Sequence, residues 1–290
     1  MKPILYLGPE GTHSHEAASR RFGAAACLTP CLSHFDVFDR LRAANARLRP
    51  CAVVPVENSS EGPVTQTLDL LSAHPEITIH ESFSMPVRHN LLARRDAKTL
   101  DGITRVYSHP QALGQCRATL QSLLPGAALL SESSTAAAAR RAAEEPGSAA
   151  VASVAAARLN ALAVLKKDIQ DSAGNVTRFF VIAAGKARPA AAPQPQPSTR
   201  GGAPAMRSLM HLVIGNRPGA LLHTLAPFDA AGVNLTFIQS RPLPGRPWEY
   251  GFFIEAATDW KPRAAEAAWR LVLALAESGR KLGTYPMGSP

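Results

Sequence analysis

Four short polar segments stand at the ends of predicted β-strands, where the side chains of a catalytic cleft are expected. They are residues 8–14 (GPEGTHS), 55–62 (PVENSSEG), 108–115 (SHPQALGQ) and 175–180 (NVTRFF). Ligands of open α/β sheets bind beyond the carboxyl ends of the strands. The sequence therefore predicts one site assembled from distant parts of the chain.

These segments contain groups that can bind an anion and move a proton. Glycines in residues 8–14 let backbone amides approach an anion, and the start of the following helix adds a partial positive charge. The same segment could also be only a tight turn. Thr177 and Arg178 can donate hydrogen bonds to a carboxylate or a hydroxyl. His109 could act as a general acid or base, or it could only cap the next helix.

The elements around these segments alternate between strand-like and helix-like patterns. Strands are predicted at residues 4–7, 51–56, 77–82, 88–93, 105–108, 127–131, 149–152 and 179–183. Helices are predicted over 64–71 and after Thr12, His109, Ser134 and Ser153. Such alternation is typical of α/β layers with mostly parallel sheets, whose two halves leave a cleft between them.

A change in composition divides the chain into two predicted domains. Residues 185–207 are rich in Ala, Pro and Gly, which favours a linker between domains 1–184 and 208–290. The second domain has the order strand, helix, strand, strand, helix and a short last strand at 281–285. That order matches the split βαβ plan.

Composition excludes several classes of protein. No apolar run approaches the roughly 18 residues of a membrane span, and no signal peptide is evident, so we expect a cytoplasmic protein. The net charge of +9 comes from scattered Lys and Arg, and only 6% of residues are aromatic, which does not favour nucleic-acid binding. Cys27 and Cys31 have metal-like spacing but no second Cys/His pair, so no metal is predicted.

The order and spacing of the polar segments resemble those of prephenate dehydratases over residues 4–184. The shared motifs are Gly8-Pro9-x-Gly11-Thr12, Pro55-x-Glu57-Asn58-Ser59-x-x-Gly62, Ser108-His109-Pro110-Gln111-Ala112, Ser134-Thr135-Ala136 and Asn175-x-Thr177-Arg178-Phe179. Residues 219–221 and 234–242 are similar to the ACT regulatory domain of those enzymes. The resemblance implies an α/β, two-subdomain catalytic domain like periplasmic binding proteins with a central cleft, followed by a ferredoxin-like βαββαβ ACT domain.

The resemblance implies decarboxylative dehydration of prephenate to phenylpyruvate, in phenylalanine biosynthesis, without a cofactor. Thr177 is assigned to the departing hydroxyl because the family motif has its key residue there. Glu57 is the candidate proton source behind it, if burial raises its pKa. Arg178 is a candidate for binding a substrate carboxylate, or for a structural ion pair. The other substrate-binding candidates are Gly11, Thr12, Asn58, Ser59, Ser108, Gln111, Asn175 and Phe179.

The second domain is expected to bind phenylalanine as an allosteric effector. The implied effector residues are Gly219, Ala220, Leu221, Asn234, Gln239, Ser240 and Arg241. ACT domains resemble modules that pair, so a homodimer or homotetramer is expected. Two positions depart from the family pattern: His13 replaces the usual aromatic residue, and Gln239 replaces the usual Glu. Since Gln239 removes a charge, the sequence predicts milder inhibition by phenylalanine.

Two alternatives stay open at this point. An arogenate dehydratase would use the same fold and chemistry on the transaminated substrate. A non-catalytic amino-acid-binding regulator, from another class, would use the cleft only for capture. No chorismate mutase helices precede Ile4, so the expectation is a monofunctional enzyme.

Overall fold

The structure is a computed structural model that describes residues 2–23, 26–44, 50–97, 99–185 and 205–288. We refer to residues 2–185 as the N-terminal unit and to 205–288 as the C-terminal unit. The N-terminal unit begins with β1 (Ile4–Leu7), α1 (His13–Phe22), β2 (Leu28–Cys31), α2 (His34–Ala43), β3 (Cys51–Asn58), β4 (Gly62–Pro63), α3 (Thr65–Ala73) and β5 (Ile77–Pro86). It continues with β6 (Asn90–Ala93), β7 (Arg105–Ser108), α4 (Pro110–Gln115), α5 (Arg117–Leu123), β8 (Ala128–Ser131), α6 (Thr135–Glu144), β9 (Ser148–Ala152), α7 (Val154–Leu159), β10 (Ala163–Lys166) and β11 (Val176–Ala184).

Short polar side chains begin several of these helices, as the sequence predicted. The side chain of Thr12 accepts a hydrogen bond from the backbone amide of His15, and Ser134 and Ser153 cap α6 and α7 in the same way. Each satisfies one of the backbone donors that a helix start leaves free. His109 also caps its helix, because its ring accepts from the amide of Gln111.

The N-terminal unit contains two mixed sheets, so the prediction of mostly parallel sheets was wrong. One sheet contains β5-β11-β3-β1-β2 in that order, and the other is β10-β6-β9-β7-β8. Among the described residues of this unit, only the β1–β2, β1–β3, β7–β8 and β7–β9 pairs are parallel. The strands next to the connections between the sheets pair antiparallel: β11 with β3 and β5, and β6 with β9 and β10.

The chain crosses between the two sheets at residues 87–89 and again at 167–175. The crossings lie side by side, because the amide of Val87 donates to the carbonyl of Asn175 at 2.9 Å and that of Ile169 to the carbonyl of His89 at 2.8 Å. Residues about eighty positions apart thus meet between the sheets. A cleft opens at this junction.

The C-terminal unit has the predicted strand–helix–strand–strand–helix–strand order. Its elements are β12 (Met206–Val213), α8 (Ala220–Ala230), β13 (Leu235–Leu243), β14 (Arg246–Ala256), α9 (Arg263–Leu275) and β15 (Ser278–Gly288). The last strand has 11 residues and is not short. Its small residues, Ser278, Gly279 and Gly283, interrupt the apolar pattern on which the sequence interpretation depended.

The two units share one sheet. β15 pairs in parallel with β5 of the N-terminal unit, through Met287 with Ser82 and Gly288 with Phe83. The shared sheet therefore has the order β13-β14-β12-β15-β5-β11-β3-β1-β2. Leu282 and Tyr285 of β15 also belong to the apolar core that lies beneath β3, β5 and β11.

The predicted linker falls mostly on residues 186–204, which lie outside the described residues. The proposed boundaries at 184 and 208 therefore stay predictions. Within the described ranges, no helix is both long enough and apolar enough to cross a membrane.

Candidate active site

The cleft between the two sheets has a volume of about 540 Å³. Six of the substrate-site residues expected from sequence line it: Thr12, Asn58, Gln111, Asn175, Thr177 and Phe179. The N-termini of α1 and α6 face the cleft as well, through residues 12–14 and 133–135. Among the lining residues of the described chain, Glu61 has the one carboxylate, and none is Lys or Arg.

The side chain of Asn58 is held in one orientation by the backbone. Its Oδ1 accepts hydrogen bonds from the backbone amides of Ser60 at 2.9 Å and Glu61 at 3.1 Å. Because those groups can only donate, the other end of the side chain must be the NH₂ group. That Nδ2 lies 2.9 Å from Thr177 Oγ1 and 2.7 Å from Asn175 Oδ1.

This orientation determines what the Thr177 hydroxyl can do. Thr177 Oγ1 accepts from Asn58, so its own proton is directed elsewhere. The residue is 8% exposed and faces the cleft. The Thr177 hydroxyl is therefore a hydrogen-bond donor toward whatever occupies the cleft.

The hydrogen bonds continue from Asn175 across the cleft. Asn175 Nδ2 donates to Gln115 Oε1 at 2.8 Å, and Gln115 Nε2 donates to Glu61 Oε1 at 3.2 Å. We refer to the series Thr177, Asn58, Asn175, Gln115 and Glu61 as the amide chain. It joins the two sheets at the crossing point and ends on a carboxylate.

Glu57 and Arg178 do not lie in the cleft, which corrects the role assigned to Glu57 and the substrate-binding role considered for Arg178. Successive residues of a strand point to opposite faces. Because Thr177 faces the cleft, Arg178 faces away and binds Glu57 at 2.9 Å and Glu255 of β14 at 2.7 Å. Glu57 is thus not behind the Thr177 hydroxyl, and Arg178 forms a structural ion pair instead of binding a carboxylate.

Three further candidates have structural roles and do not line the cleft. Ser108 is fully buried and donates to the carbonyl of Val151 at 2.6 Å. Ser59 donates to the carbonyl of Gly174 and accepts from the amide of Val176, both at 2.9 Å. The carbonyl of Gly11 accepts from Ser153 Oγ at 2.9 Å, which ties the start of α1 to the start of α7. These bonds hold together segments that border the cleft.

Sequence reasoning did not select several polar residues that line the cleft, among them His13, Glu61, His89 and Gln115. Glu61 and Gln115 lie within the motifs, but neither was selected. His89 was placed in a predicted strand, 88–93, whereas β6 begins only at Asn90 and His89 lies in the first crossing segment. His13 was noted as a departure from the family pattern at the edge of the cleft, without a role in binding.

The rings of His13 and His89 meet edge to face in the cleft, with centroids 5.4 Å apart. The His13 side chain is 19% exposed, but neither ring nitrogen has a hydrogen-bond partner in the described part of the chain. Burial, with a smaller contribution from His89, lowers the pKa of His13 to about 3. Burial also lowers the pKa of His89. Both imidazoles are therefore neutral at pH 7.

We expect His13→Phe to make the protein more resistant to acid. Unfolded His13 binds a proton near pH 6.5, whereas the folded side chain stays neutral down to about pH 3, so its contribution to stability falls as the pH drops through that window. The stability advantage of the variant should grow by about 1 to 2 kcal/mol between pH 7 and pH 5. Urea unfolding of both proteins at the two pH values measures this. If the free energies of unfolding of the two proteins changed in parallel with pH, the neutral state of His13 would be contradicted.

The expected effector residues do not come together within one chain. Gly219 has a φ of 76° and begins α8. Val213 of β12 lies opposite Gly251 of β14, and Gly251 lies opposite Arg241 of β13. Arg241 is therefore at the same end of the sheet as the loop before Gly219. Asn234 precedes β13 at the other end, about 20 Å away at the rise of an extended strand.

The remaining effector candidates make local contacts. Gln239 Nε2 donates to the carbonyl of Ser240 at 2.8 Å. Arg241 binds Asp69 of α3 through two hydrogen bonds, of 2.9 and 2.6 Å. Ala220 belongs to the core of the C-terminal unit, and Leu221 packs against it.

Comparisons with known proteins place this chain in context. A family model described as prephenate dehydratase matches residues 4–187. The bifunctional chorismate mutase/prephenate dehydratase of Pseudomonas aeruginosa is 36% identical over 283 residues, covering 98% of this chain and 73% of that protein. The arogenate dehydratase/prephenate dehydratase 2 of Arabidopsis thaliana is 32% identical over 98% of this chain and 72% of that protein.

Solved structures agree over the same length. The prephenate dehydratase of Arthrobacter aurescens, in complex with L-Phe, has a TM-score of 0.84 and 31% identity, covering 98% of this chain and 89% of that one. The quorum-quenching acylase GqqA has a TM-score of 0.83 and 27% identity, covering 99% and 98% of the two chains. Both likenesses extend through the C-terminal unit.

Proposed function

This chain belongs to the prephenate dehydratase family and is an enzyme, and on that basis we propose the reaction and its control. The substrate is prephenate, and the products are phenylpyruvate, carbon dioxide and water. The ring carboxylate leaves as carbon dioxide, and its bonding electrons enter the ring as the hydroxyl leaves. Aromatisation of the ring supplies the driving force.

The observation that carries this proposal is the donor orientation of the Thr177 hydroxyl. Asn58 donates to Thr177 Oγ1, and the amides of Ser60 and Glu61 hold Asn58. Thr177 is then ready to donate to the departing hydroxyl, which gains negative charge in the transition state. Glu57 does not line the cleft, and Glu61 supplies the one carboxylate among the described lining residues, at the far end of the amide chain.

The cleft has to hold a dianion without Lys or Arg among its described lining residues. The N-termini of α1 and α6 face it, and helix starts favour anions through free amides and the helix dipole. Each of these two helix starts is suited to one carboxylate. Such donors bind a carboxylate less tightly than a buried cation would. The ring carboxylate can therefore still leave as carbon dioxide.

A direct assay tests the reaction. Purified protein is given prephenate, and phenylpyruvate is measured with and without phenylalanine. Turnover that phenylalanine reduces supports both the reaction and its control. If neither phenylpyruvate nor carbon dioxide forms while prephenate binds, the chain is a non-catalytic binding protein and the proposal is wrong.

Arogenate is the second candidate substrate. It differs from prephenate by an ammonium group, and Glu61 places a carboxylate in the cleft that an ammonium group would suit. The relatives include enzymes named for both substrates. Comparing kcat/KM for the two substrates, in the wild type and in Glu61→Gln, identifies the preferred one. If Glu61→Gln lowered kcat/KM for arogenate but not for prephenate, Glu61 would be assigned to binding the ammonium group.

We propose that the C-terminal unit is a ferredoxin-like ACT domain that senses phenylalanine. Its βαββαβ order supports this, as does the phenylalanine complex of the Arthrobacter relative. Since Asn234 and Gly219 lie at opposite ends of one sheet, the pocket requires residues of two chains. Leu222, Ile238 and Leu271 are 71%, 51% and 58% exposed, which supports pairing through this unit. We propose a homodimer or homotetramer in the cytoplasm, and light scattering measures the number of chains.

We expect Gly219→Val to weaken phenylalanine sensing without removing catalysis. The positive φ of Gly219 disfavours valine, and a Cβ atom there would lie 2.9 Å from the His223 ring. The start of α8 would shift, and its amides would no longer meet the effector carboxylate. Allosteric coupling is typically worth about 1 to 3 kcal/mol, so inhibition should weaken roughly 5- to 150-fold. Calorimetry and inhibition curves check this, with Gly245→Val, in an exposed hairpin turn, as the control.

A further inference from the structure

His89 lies at the junction of the two sheets, and one of its two nitrogens has a partner. The residue is 3% exposed. Its Nε2 lies 2.9 Å from Oε1 of Gln115, a member of the amide chain. Its Nδ1 is buried without a hydrogen-bond partner among the described residues.

The amide chain determines which nitrogen of His89 carries the proton. Asn175 Nδ2 donates to Gln115 Oε1, and Gln115 Nε2 donates to the Glu61 carboxylate. The atom that faces His89 is therefore an oxygen, which can only accept. His89 must then donate through Nε2–H, and its Nδ1 has the free lone pair. Burial, which lowers the pKa of His89, keeps the ring in this neutral form.

Gln115 needs this contact because a carboxamide can rotate by half a turn with little change in shape. After that rotation its NH₂ group would face the NH₂ group of Asn175, and the hydrogen bond between them would be lost. The Asn58 end of the amide chain is fixed by the backbone amides of Ser60 and Glu61. At the other end, Glu61 is exposed, so the buried His89 is the firmer constraint.

We propose that His89 is a positioning residue of this enzyme, which holds the Gln115 carboxamide through Nε2–H and so keeps the amide chain aligned with Thr177. It acts through Gln115 and does not contact the reacting atoms. This inference rests on the proposed dehydratase activity. It adds a role for the crossing segment 87–89.

Two neutral variants separate the two ring nitrogens. A glutamine side chain places its NH₂ group near the position of Nε2, so His89→Gln can still donate to Gln115. An asparagine side chain is one carbon shorter and reaches only the position of Nδ1. His89→Asn therefore leaves Gln115 Oε1 with one donor fewer while it keeps a polar, uncharged group at the site.

We expect His89→Asn to lower kcat at least about tenfold with a smaller change in KM, since a lost donor to a buried acceptor has a cost of that order. His89→Gln should retain most of the wild-type kcat. His34→Asn, at a buried histidine of α2, controls for the loss of stability alone. Equal kcat in both His89 variants, or a larger loss in His89→Gln, would overturn the proposal.

Nitrogen NMR of the wild-type protein tests the tautomer without any turnover. We expect the Nε2 of His89 to be protonated and the Nδ1 to be unprotonated at pH 7, and Gln115→Leu to disturb that signal. A proton on Nδ1 would overturn the assignment of His89 as the donor. Failure of the wild type to convert prephenate would instead count against the proposed reaction, so the two results can be told apart.

Discussion

Thr177→Ala should lower kcat by at least about 100-fold, the lower end of the effect of losing a proton-transfer group. The substitution removes the hydroxyl that Asn58 orients toward the cleft and leaves the strand pairing of β11 unchanged. Thr177→Ser keeps the hydroxyl and should retain much more activity. Single-turnover rates with prephenate measure the chemical step, and unfolding curves verify that each variant is folded. A kcat near that of the wild type in the alanine variant would remove Thr177 from the mechanism.

A companion variant tests the orientation of that hydroxyl. In Asn58→Asp, the carboxylate can still accept from the amides of Ser60 and Glu61, but it cannot donate to Thr177. Thr177 would then donate its proton to the new carboxylate, away from the cleft. We expect a loss of kcat similar to that of Thr177→Ala. Glu57→Gln, one residue earlier and on the opposite face, should have a much smaller effect on kcat.

Glu255→Ala should lower the free energy of unfolding by about 3 to 5 kcal/mol, the usual cost of breaking a buried ion pair. Glu255 is 1% exposed, and its carboxylate accepts from Arg178, Tyr285 and Thr236 at 2.6 to 2.7 Å. Its removal leaves Arg178 with Glu57 alone and the buried hydroxyl of Tyr285 without an acceptor. Urea unfolding measures the loss.

Two controls show whether the loss of stability comes from the buried ion pair. Arg20→Ala removes a partner of Glu16 that is 54% exposed, and it should change stability by less than about 1 kcal/mol. The double substitution Arg178→Met with Glu255→Leu replaces the pair by apolar groups and should recover much of the loss. A loss below 1 kcal/mol for Glu255→Ala itself would mean that the pair between the units contributes little.

The sequence predicted the position of the site better than the roles of its residues. Polar segments at strand ends identified Thr177, Asn58 and Asn175, because strand ends can be read from local patterns. Glu57 was misassigned, and the role of Arg178 was left open although the period of a strand already places Thr177 and Arg178 on opposite faces. The partner of Arg178, Glu255, lies 77 residues away along the chain. No local pattern indicates such a contact.

Other features depended on the three-dimensional arrangement alone. His89 lies in a crossing segment whose burial follows from the meeting of two sheets. The parallel pairing of β15 with β5 joins units that the composition had separated at residues 185–207. Small residues in β15 concealed its length, so the sequence interpretation treated the second unit as an independent module.

The pairing of β15 with β5 has a consequence for how the protein is made in the cell. β15 is synthesised after every other described element, yet its last two residues, Met287 and Gly288, pair with Ser82 and Phe83 on the edge of β5. Until it leaves the ribosome, the nascent chain exposes an unpaired strand edge, a common site of aggregation. We therefore expect the N-terminal unit to complete its folding late, with chaperones bound to it during translation. A stop codon within residues 186–204 should then produce an insoluble protein, not a deregulated enzyme.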